Sequence, residues 1–160
     1  MIGAVFAVDS TNGMGFENRL SWPHNPDDMR HFKSLTDNQV VAMGKRTWTS
    51  SDMPSPLPKR TNVLFTNNFL DREDIFQARG DIPTALKKVQ IQHADKNVFV
   101  IGGPNILVQA KPVIQRIYLT RIDGEYINDT YIDLEKFLEG FNFKKSLRLT
   151  NCTIEIYNRS

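Results

Sequence analysis

Cysteine is nearly absent from this chain: Cys152 is the only one among 160 residues. No disulfide can form within it, and a reducing cytoplasm is the expected compartment. Histidine is scarce too. His24, His31 and His93 make no metal-ligand pattern with the cysteine or with carboxylates at helical spacing, so no metal is expected and all three read as surface residues. Long apolar runs are missing. None approaches the roughly 18–20 residues that cross a bilayer as a helix, so no membrane partner is expected. The opening MIGAVFAVDS lacks the basic start and small-residue cleavage site of a signal peptide, and it reads as a first strand. Net charge is only +2, with lysine and arginine spread along the chain. A dedicated nucleic-acid binder concentrates its cations on one face, so no nucleic acid is expected. Neither G-x-S-x-G nor G-x-G-x-x-G occurs. Their absence removes support for a nucleophilic hydrolase and for an ordinary Rossmann dinucleotide domain.

What is present fits a single soluble domain over residues 1–160. The apolar fraction of 40% and charged fraction of 24% are ordinary, and the length suffices for a substantial core. Short apolar bursts at Ile2–Val8, Val40–Met43, Asn62–Thr66, Asn97–Ile101 and Arg116–Ile122 suit buried, mostly parallel strands. Helical patterns lie between them, at Pro26–Leu35, Lys45–Ser51, Ile82–Ala94 and Pro104–Lys111. Phe141–Leu149 and Cys152–Tyr157, separated by Thr150-Asn151, read as a terminal antiparallel hairpin. Strands alternating with helices predict an α/β domain with a mixed sheet, whose ligands bind beyond the carboxyl ends of the parallel strands.

Three stretches carry chemistry. VVAMGKRTW, residues 40–48, is a buried-type strand, one glycine, then two cations opening a helix. Gly44 lets a ligand approach the backbone closely. Lys45 and Arg46 stand where the helix dipole disfavours cations. An anionic ligand, above all a phosphate, resolves that conflict; solvated charges at a turn are the plainer alternative. VFVIGGPNI, residues 98–106, ends a strand in Gly102-Gly103, with Pro104 where a helix begins. Paired glycines there let backbone lie against a flat ring or a pyrophosphate, and equally they permit a tight turn. In NPDDMRHFKSLT, residues 25–36, Asn25 is the expected N-cap and Pro26 the first helical residue. Residues three, four and seven apart share a helix face. Asp28 is then in register with His31, Phe32 and Leu35, while Asp27 falls with Arg30, His31 and Ser34. Asp27 reads as a solvated first-turn charge. Asp28 is either a buried working carboxylate or a side chain turned back onto backbone N–H groups.

Together these stretches resemble the dihydrofolate reductase family, over nearly the whole chain. AVD at 7–9 with GFENRLSW at 15–22, NPDDMRHFKSLT at 25–36, MGKRTWTS at 43–50, PLPKRTNVLFT at 56–66, VFVIGGPNI at 98–106 and IYLTRIDGEYINDTYI at 117–132 follow in that family's order and at its spacing. The resemblance implies a central, mostly parallel eight-stranded sheet flanked by about four helices. It implies reduction of 7,8-dihydrofolate by NADPH, with hydride passing from C4 of the cofactor to C6 and a proton to N5, feeding one-carbon metabolism. Asp28 matches the family's acidic residue on the pterin ring, and Thr120 the hydroxyl that supports it. Trp22 would hold a water nearby, and Leu20 belongs to the mobile loop over the site. Val5, Met29, Phe32, Ser51, Leu57 and Ile101 would line the substrate channel. Arg60 would bind the α-carboxylate of the substrate's glutamate. Lys45, Arg46 and Thr47 would meet the cofactor phosphates, favouring NADPH over NADH, with Thr66 and Asn67 flanking the 2′-phosphate. The remaining implied cofactor positions are Ala7, Gly15, Asn18, Gly44, Phe65, Ile101, Gly102, Gly103, Pro104, Asn105 and Ile106. The proton is expected from water admitted by the Gly13–Leu20 loop rather than from Asp28. A reductase of the same fold acting on a ribosylated pyrimidine would lack Asp28, Phe32 and Arg60. A monomer is the expected state.

Three positions depart from the family pattern. Pro104 stands where a third glycine is common and removes one N–H donor. Leu107 stands where an aromatic beside the nicotinamide is frequent. Gly3 replaces a bulky aliphatic on the first strand, widening the pocket wall or leaving it to a neighbour.

Overall fold

A computed structural model describes all 160 residues. Its strands are β1 (Ile2–Val8), β2 (Gly13–Gly15), β3 (Val40–Gly44), β4 (Thr61–Phe65), β5 (Phe76–Ala78), β6 (Val98–Gly102), β7 (Arg116–Ile122), β8 (Thr130–Tyr131), β9 (Phe141–Leu149) and β10 (Cys152–Arg159). Five α-helices accompany them: α1 (Pro26–Thr36), α2 (Lys45–Trp48), α3 (Ile82–Gln92), α4 (Pro104–Ala110) and α5 (Leu134–Leu138). Eight strands form one sheet in the order β5-β4-β3-β6-β1-β7-β10-β9. From β5 to β7 every pairing is parallel; β10 and β9 run antiparallel as the terminal hairpin. β2 and β8 pair separately as a small ribbon.

The apolar bursts become the central strands because only there are both faces covered. Side chains alternate across a strand. Ala4, Phe6 and Val8 of β1 therefore join Leu86 and Val89 of α3 and Leu107 and Ala110 of α4 in the largest apolar cluster. Gly3, Val5 and Ala7 face the other way, toward α1. On that second face Val41 and Met43 of β3 pack with Leu64, Trp48 and Leu57, and Phe32 of α1 and Ile101 lie against them.

Several elements differ from the sequence reading. α2 is a single turn ending at Trp48 rather than running to Ser51. The Thr49 hydroxyl donates to the Lys45 carbonyl at 3.0 Å and closes the helix there. α3 stops at Gln92, short of Ala94. β2, β5 and β8 are two or three residues long and α5 is five, too short for any periodicity to announce them. Leu107 is 0% exposed within the main core and lies away from the cleft described below. It takes no part in the nicotinamide contact inferred for its position. Gly3 does not widen a pocket. A Cβ there would stand 3.2 Å from the Phe99 ring, which already fills that space.

Leu107→Ala should leave a cavity beneath α4 and destabilise the fold by about 2–5 kcal/mol. Urea unfolding checks this: the midpoint should fall while the slope stays constant.

Candidate active site

A cleft of about 420 Å³ opens over the carboxyl ends of β1, β3 and β6. This is the position that an α/β sheet offers to ligands, because loops diverge there. Val5, Phe6 and Ala7 come from β1. Ile101, Gly102 and Gly103 come from the end of β6, followed by Pro104, Asn105 and Ile106 at the start of α4. Gly44, Lys45, Arg46 and Thr47 bring the β3–α2 turn, and Phe65 the end of β4. Asp28, Met29, His31 and Phe32 bring α1, and Thr120 brings β7. Gly15, Asn18 and Leu20 belong to a loop that covers one side.

The start of α1 separates its two aspartates as register predicts. Asn25 caps the helix, its side chain accepting from the Asp28 N–H at 3.1 Å, and Pro26 occupies the first turn. Asp27 faces outward, accepting from Arg30 and, at 3.0 Å, from the Thr150 N–H in the β9–β10 turn. It therefore also ties α1 to the hairpin. Asp28 does not fold back onto the helix terminus. Its Oδ1 accepts from the Thr120 hydroxyl at 2.7 Å, across the cleft wall. Burial pushes the Asp28 carboxyl up from its ordinary value, while the Thr120 hydrogen bond and the neighbouring His31 ring pull it back.

Across the cleft the character is cationic. Lys45 and Arg46 line it beside the backbone of Gly102 and Gly103. Gly102 has φ +134°, a conformation that side chains disfavour, and an added Cβ would meet the Thr47 hydroxyl at 3.3 Å. Because α2 is one turn long, Lys45, Arg46 and the Thr47 hydroxyl are the anion-seeking groups here; a helix dipole adds little.

The covering loop is held at both ends. At its start Asp9 is 1% exposed. Asp9 Oδ1 accepts from Thr11 N–H (2.9 Å), the Thr11 hydroxyl (2.7 Å) and Gly13 N–H (3.0 Å). Its Oδ2 accepts from Tyr126 N–H (2.9 Å) and Asn128 Nδ2 (2.8 Å). Asn128 in turn accepts from the Ser21 hydroxyl at 2.7 Å, at the loop's far end. Gly13 packs so closely on Asn128 that a Cβ would stand 2.0 Å from its Nδ2. Midway, Asn18 Nδ2 donates to the Thr49 hydroxyl at 3.1 Å, and the Leu20 N–H donates to Asp52. The loop thus reaches across to the segment after α2.

Several expected site residues lie off the cleft wall. Ser51 is exposed; a turn closed by the Met53 N–H on the Ser50 carbonyl directs Ser50, Asp52 and Met53 to the cleft instead. Leu57 is buried in the cluster beneath Trp48. Trp22 is buried against Ile122 and Cys152, and its Nε1 finds no protein partner. Thr66 and Asn67 stand just past β4, where the Thr66 hydroxyl donates to the Asn68 carbonyl at 3.1 Å. Arg60 reaches Thr36 Oγ1 at 3.1 Å and stacks on Phe32, with its guanidinium carbon 5.9 Å from the ring centroid. Sequence reasoning missed Asp52, Met53, Arg19 and, most consequentially, His31. Read as a surface residue, His31 lines the cleft, and its Nε2 is buried without a partner. Its shared face with Asp28 was the available signal.

An open α/β sheet with a buried carboxylate on one side of the cleft and cations beside a glycine turn on the other is the layout of a small-molecule enzyme with one acceptor wall and one cationic wall. The family follows from comparison with known proteins. The model of the dihydrofolate reductase family matches residues 1–151, and the chain belongs to that family. It is 34% identical over 133 residues to dihydrofolate reductase type 3 of Salmonella typhimurium, covering 82% of this chain and 77% of that one. It is 30% identical over 131 residues to the dihydrofolate reductase of Bacillus subtilis, with 82% and 74% covered. Among solved structures it is similar to a dihydrofolate reductase from Enterococcus faecalis complexed with NADP(H) and RAB-propyl. That match has a TM-score of 0.81 and 23% identity, with 100% of this chain and 96% of the other covered.

Burial pushes the Asp9 carboxyl up, but the hydrogen bonds from Thr11, Asn128, Tyr126 and Gly13 outweigh it and hold the group down at about 2. A carboxyl depressed in the fold contributes stability that is complete above the unfolded value near 3.8 and lost as the pH falls through about 2. The amount is about 2 kcal/mol. Asp9→Asn should be less stable at neutral pH and show a flatter loss between pH 5 and pH 2; urea titrations across that range check it.

Proposed function

We propose that this chain reduces 7,8-dihydrofolate with NADPH and grips the substrate's pterin through Asp28. The observation that carries this reading is the carboxylate on the apolar face of α1, held by Thr120 and open to the cleft. Ionised, it accepts from the amide and amino edge of the ring and orients that ring against Phe32, Met29 and Ile101. Arg60, stacked on Phe32 at the edge of the cleft, takes the carboxylate of the glutamate tail. Trp22 lends its unpartnered Nε1 to a water beside Asp28.

The cofactor fits the donor set opposite. Lys45, Arg46 and Thr47 take its phosphates, Gly44, Gly102 and Gly103 admit it against backbone, and Ala7, Asn105, Ile106 and Phe65 complete the cradle. Thr66 and Asn67 flank the 2′-phosphate. When bound, NADPH supplies the hydride for C6. The protein's task is alignment and exclusion of water. Asn18 and Leu20 hold the loop over the reacting face, and Gly15 lets it bend. Asp28 lies on the edge of the pterin remote from N5, so the proton comes from water passing that loop. The chain acts as one domain over residues 1–160 and as a monomer in the cytoplasm. No helix is long and apolar enough to cross a membrane.

Mixing protein, NADPH and dihydrofolate should remove the reduced-nicotinamide absorbance; no decay would overturn the reading. Asp28→Asn should lower kcat/KM for dihydrofolate by about 10²-fold. The same variant should unfold at a higher temperature near neutral pH. A carboxyl raised in the fold stabilises only below its unfolded value, and that stability is lost as the pH rises, so at neutral pH its charge opposes folding. Arg46→Ala should raise KM for NADPH about tenfold through loss of a charged hydrogen bond. If NADPH and NADH weakened equally, with no loss of preference between them, Arg46 would not be reading the 2′-phosphate, the one phosphate that NADH lacks.

A further inference from the structure

His31 is one helical turn beyond Asp28 on α1, and both side chains line the same cleft wall. The His31 ring packs on Tyr118 of β7, with centroids 6.4 Å apart and planes at 52°. Two residues along that strand, on the same face, Thr120 donates to Asp28. Imidazole and carboxylate thus stand over one strip of β7, a helical turn apart and not in direct ion-pair contact. The Nε2 of His31 is buried and has no hydrogen-bond partner in the protein. A ring present only for packing would do better without that nitrogen, since buried polar atoms are normally paired.

The charged surroundings of His31 are few. On its own helix Asp28 faces it, while Asp27, Arg30 and Lys33 turn toward solvent. From β7, Tyr118 faces it, with Arg116 behind donating to the Tyr118 hydroxyl at 3.2 Å and to Asn158 of β10 at 2.8 Å. Cys152 of β10 is buried nearby with Trp22 and Ile122 and feels the Asp28 charge. From the segment before β4, Arg60 covers Phe32, one residue on. Asp28 is the only anion that faces the ring.

We propose that His31 is a positioning residue for Asp28: its imidazolium holds the neighbouring carboxylate in the ionised, hydrogen-bond-accepting form in mildly acidic solution. This rests on the reading of Asp28 as the carboxylate that grips the pterin. Burial lowers the proton affinity of His31 and the Asp28 charge restores part of it; the same charge pair works in reverse on Asp28, against its own burial. As the pH falls the imidazole takes a proton, and Asp28 then resists taking one. The substrate wall therefore keeps its anion to lower pH than a lone buried carboxylate would.

Two measurements test this. Ring signals of the three histidines are followed by NMR against pH, with His31 assigned by the signal lost in His31→Gln. In Asp28→Asn the His31 midpoint should drop by about half a pH unit or more, about threefold in proton affinity. Separately, the ratio of KM for dihydrofolate at pH 5.5 to that at pH 8 is compared among wild type, His31→Phe and His31→Gln. Both variants should raise the ratio about threefold or more, the polar one included, because neither can carry charge. An unmoved His31 midpoint in Asp28→Asn, or a ratio equal in all three proteins, overturns the proposal. The NMR result needs no turnover, so it decides the coupling even if dihydrofolate proves not to be the substrate.

Discussion

The hydrogen bond from the Thr120 hydroxyl to Asp28 is the contact on which the site depends. It joins α1 to the middle of the sheet and holds an ionisable group on an otherwise apolar helix face. Without a partner there, burial would drive the carboxyl toward its neutral form, and the wall would lose its acceptor. With too many partners the carboxylate would be satisfied by the protein and hold nothing else. One short hydroxyl contact leaves most of its accepting capacity for a ligand. Asp9 is the contrast within the same chain. Five donors saturate that carboxylate and depress it to about 2, and it serves as a fastening.

That contrast explains which parts of the molecule were legible in its sequence. The central strands were, because β1, β3, β4, β6 and β7 are apolar bursts that only a doubly covered sheet accommodates. Register alone put Asp28 in step with Phe32 and Leu35 but left two readings, a side chain turned back onto the backbone or a working carboxylate; the bond from Thr120 excludes the first. The resemblance to a known family supplied the pterin, which register could not. Asp9 was illegible as a fastening, because its partners Tyr126 and Asn128 lie more than a hundred residues away and nothing local pairs them.

The remaining differences come from distances too short or too long for periodicity to register. Ser51 and Asp52 are adjacent, and one tight turn decides which of them faces the cleft. Leu107 and Ile106 are likewise adjacent on α4; Ile106 meets the cleft and Leu107 the core, as a hundred-degree step around a helix requires. His31 was misjudged for a different reason. It belongs to both the polar set of Asp27 and the apolar set of Asp28, and spacing cannot choose between them. Packing on Tyr118 makes the choice.

One unsatisfied buried nitrogen borders the carboxylate of the cleft. Of the four buried side-chain atoms without a partner, one is Nε1 of Trp22 and another is Nε2 of His31. His31 borders Asp28 on the cleft wall. Trp22 packs against Cys152 and Ile122, off the cleft wall. The other two are Asp37 Oδ1 and Gln90 Oε1, away from the cleft, whereas Asn62 is fully used, making three hydrogen bonds with the backbone of Leu57 and Arg60. On the cleft wall itself stand one orphaned nitrogen, that of His31, and the raised carboxyl of Asp28. Both oppose stability in the free protein and both stay open to the cleft. That wall therefore gives up stability for polar groups left open to the cleft.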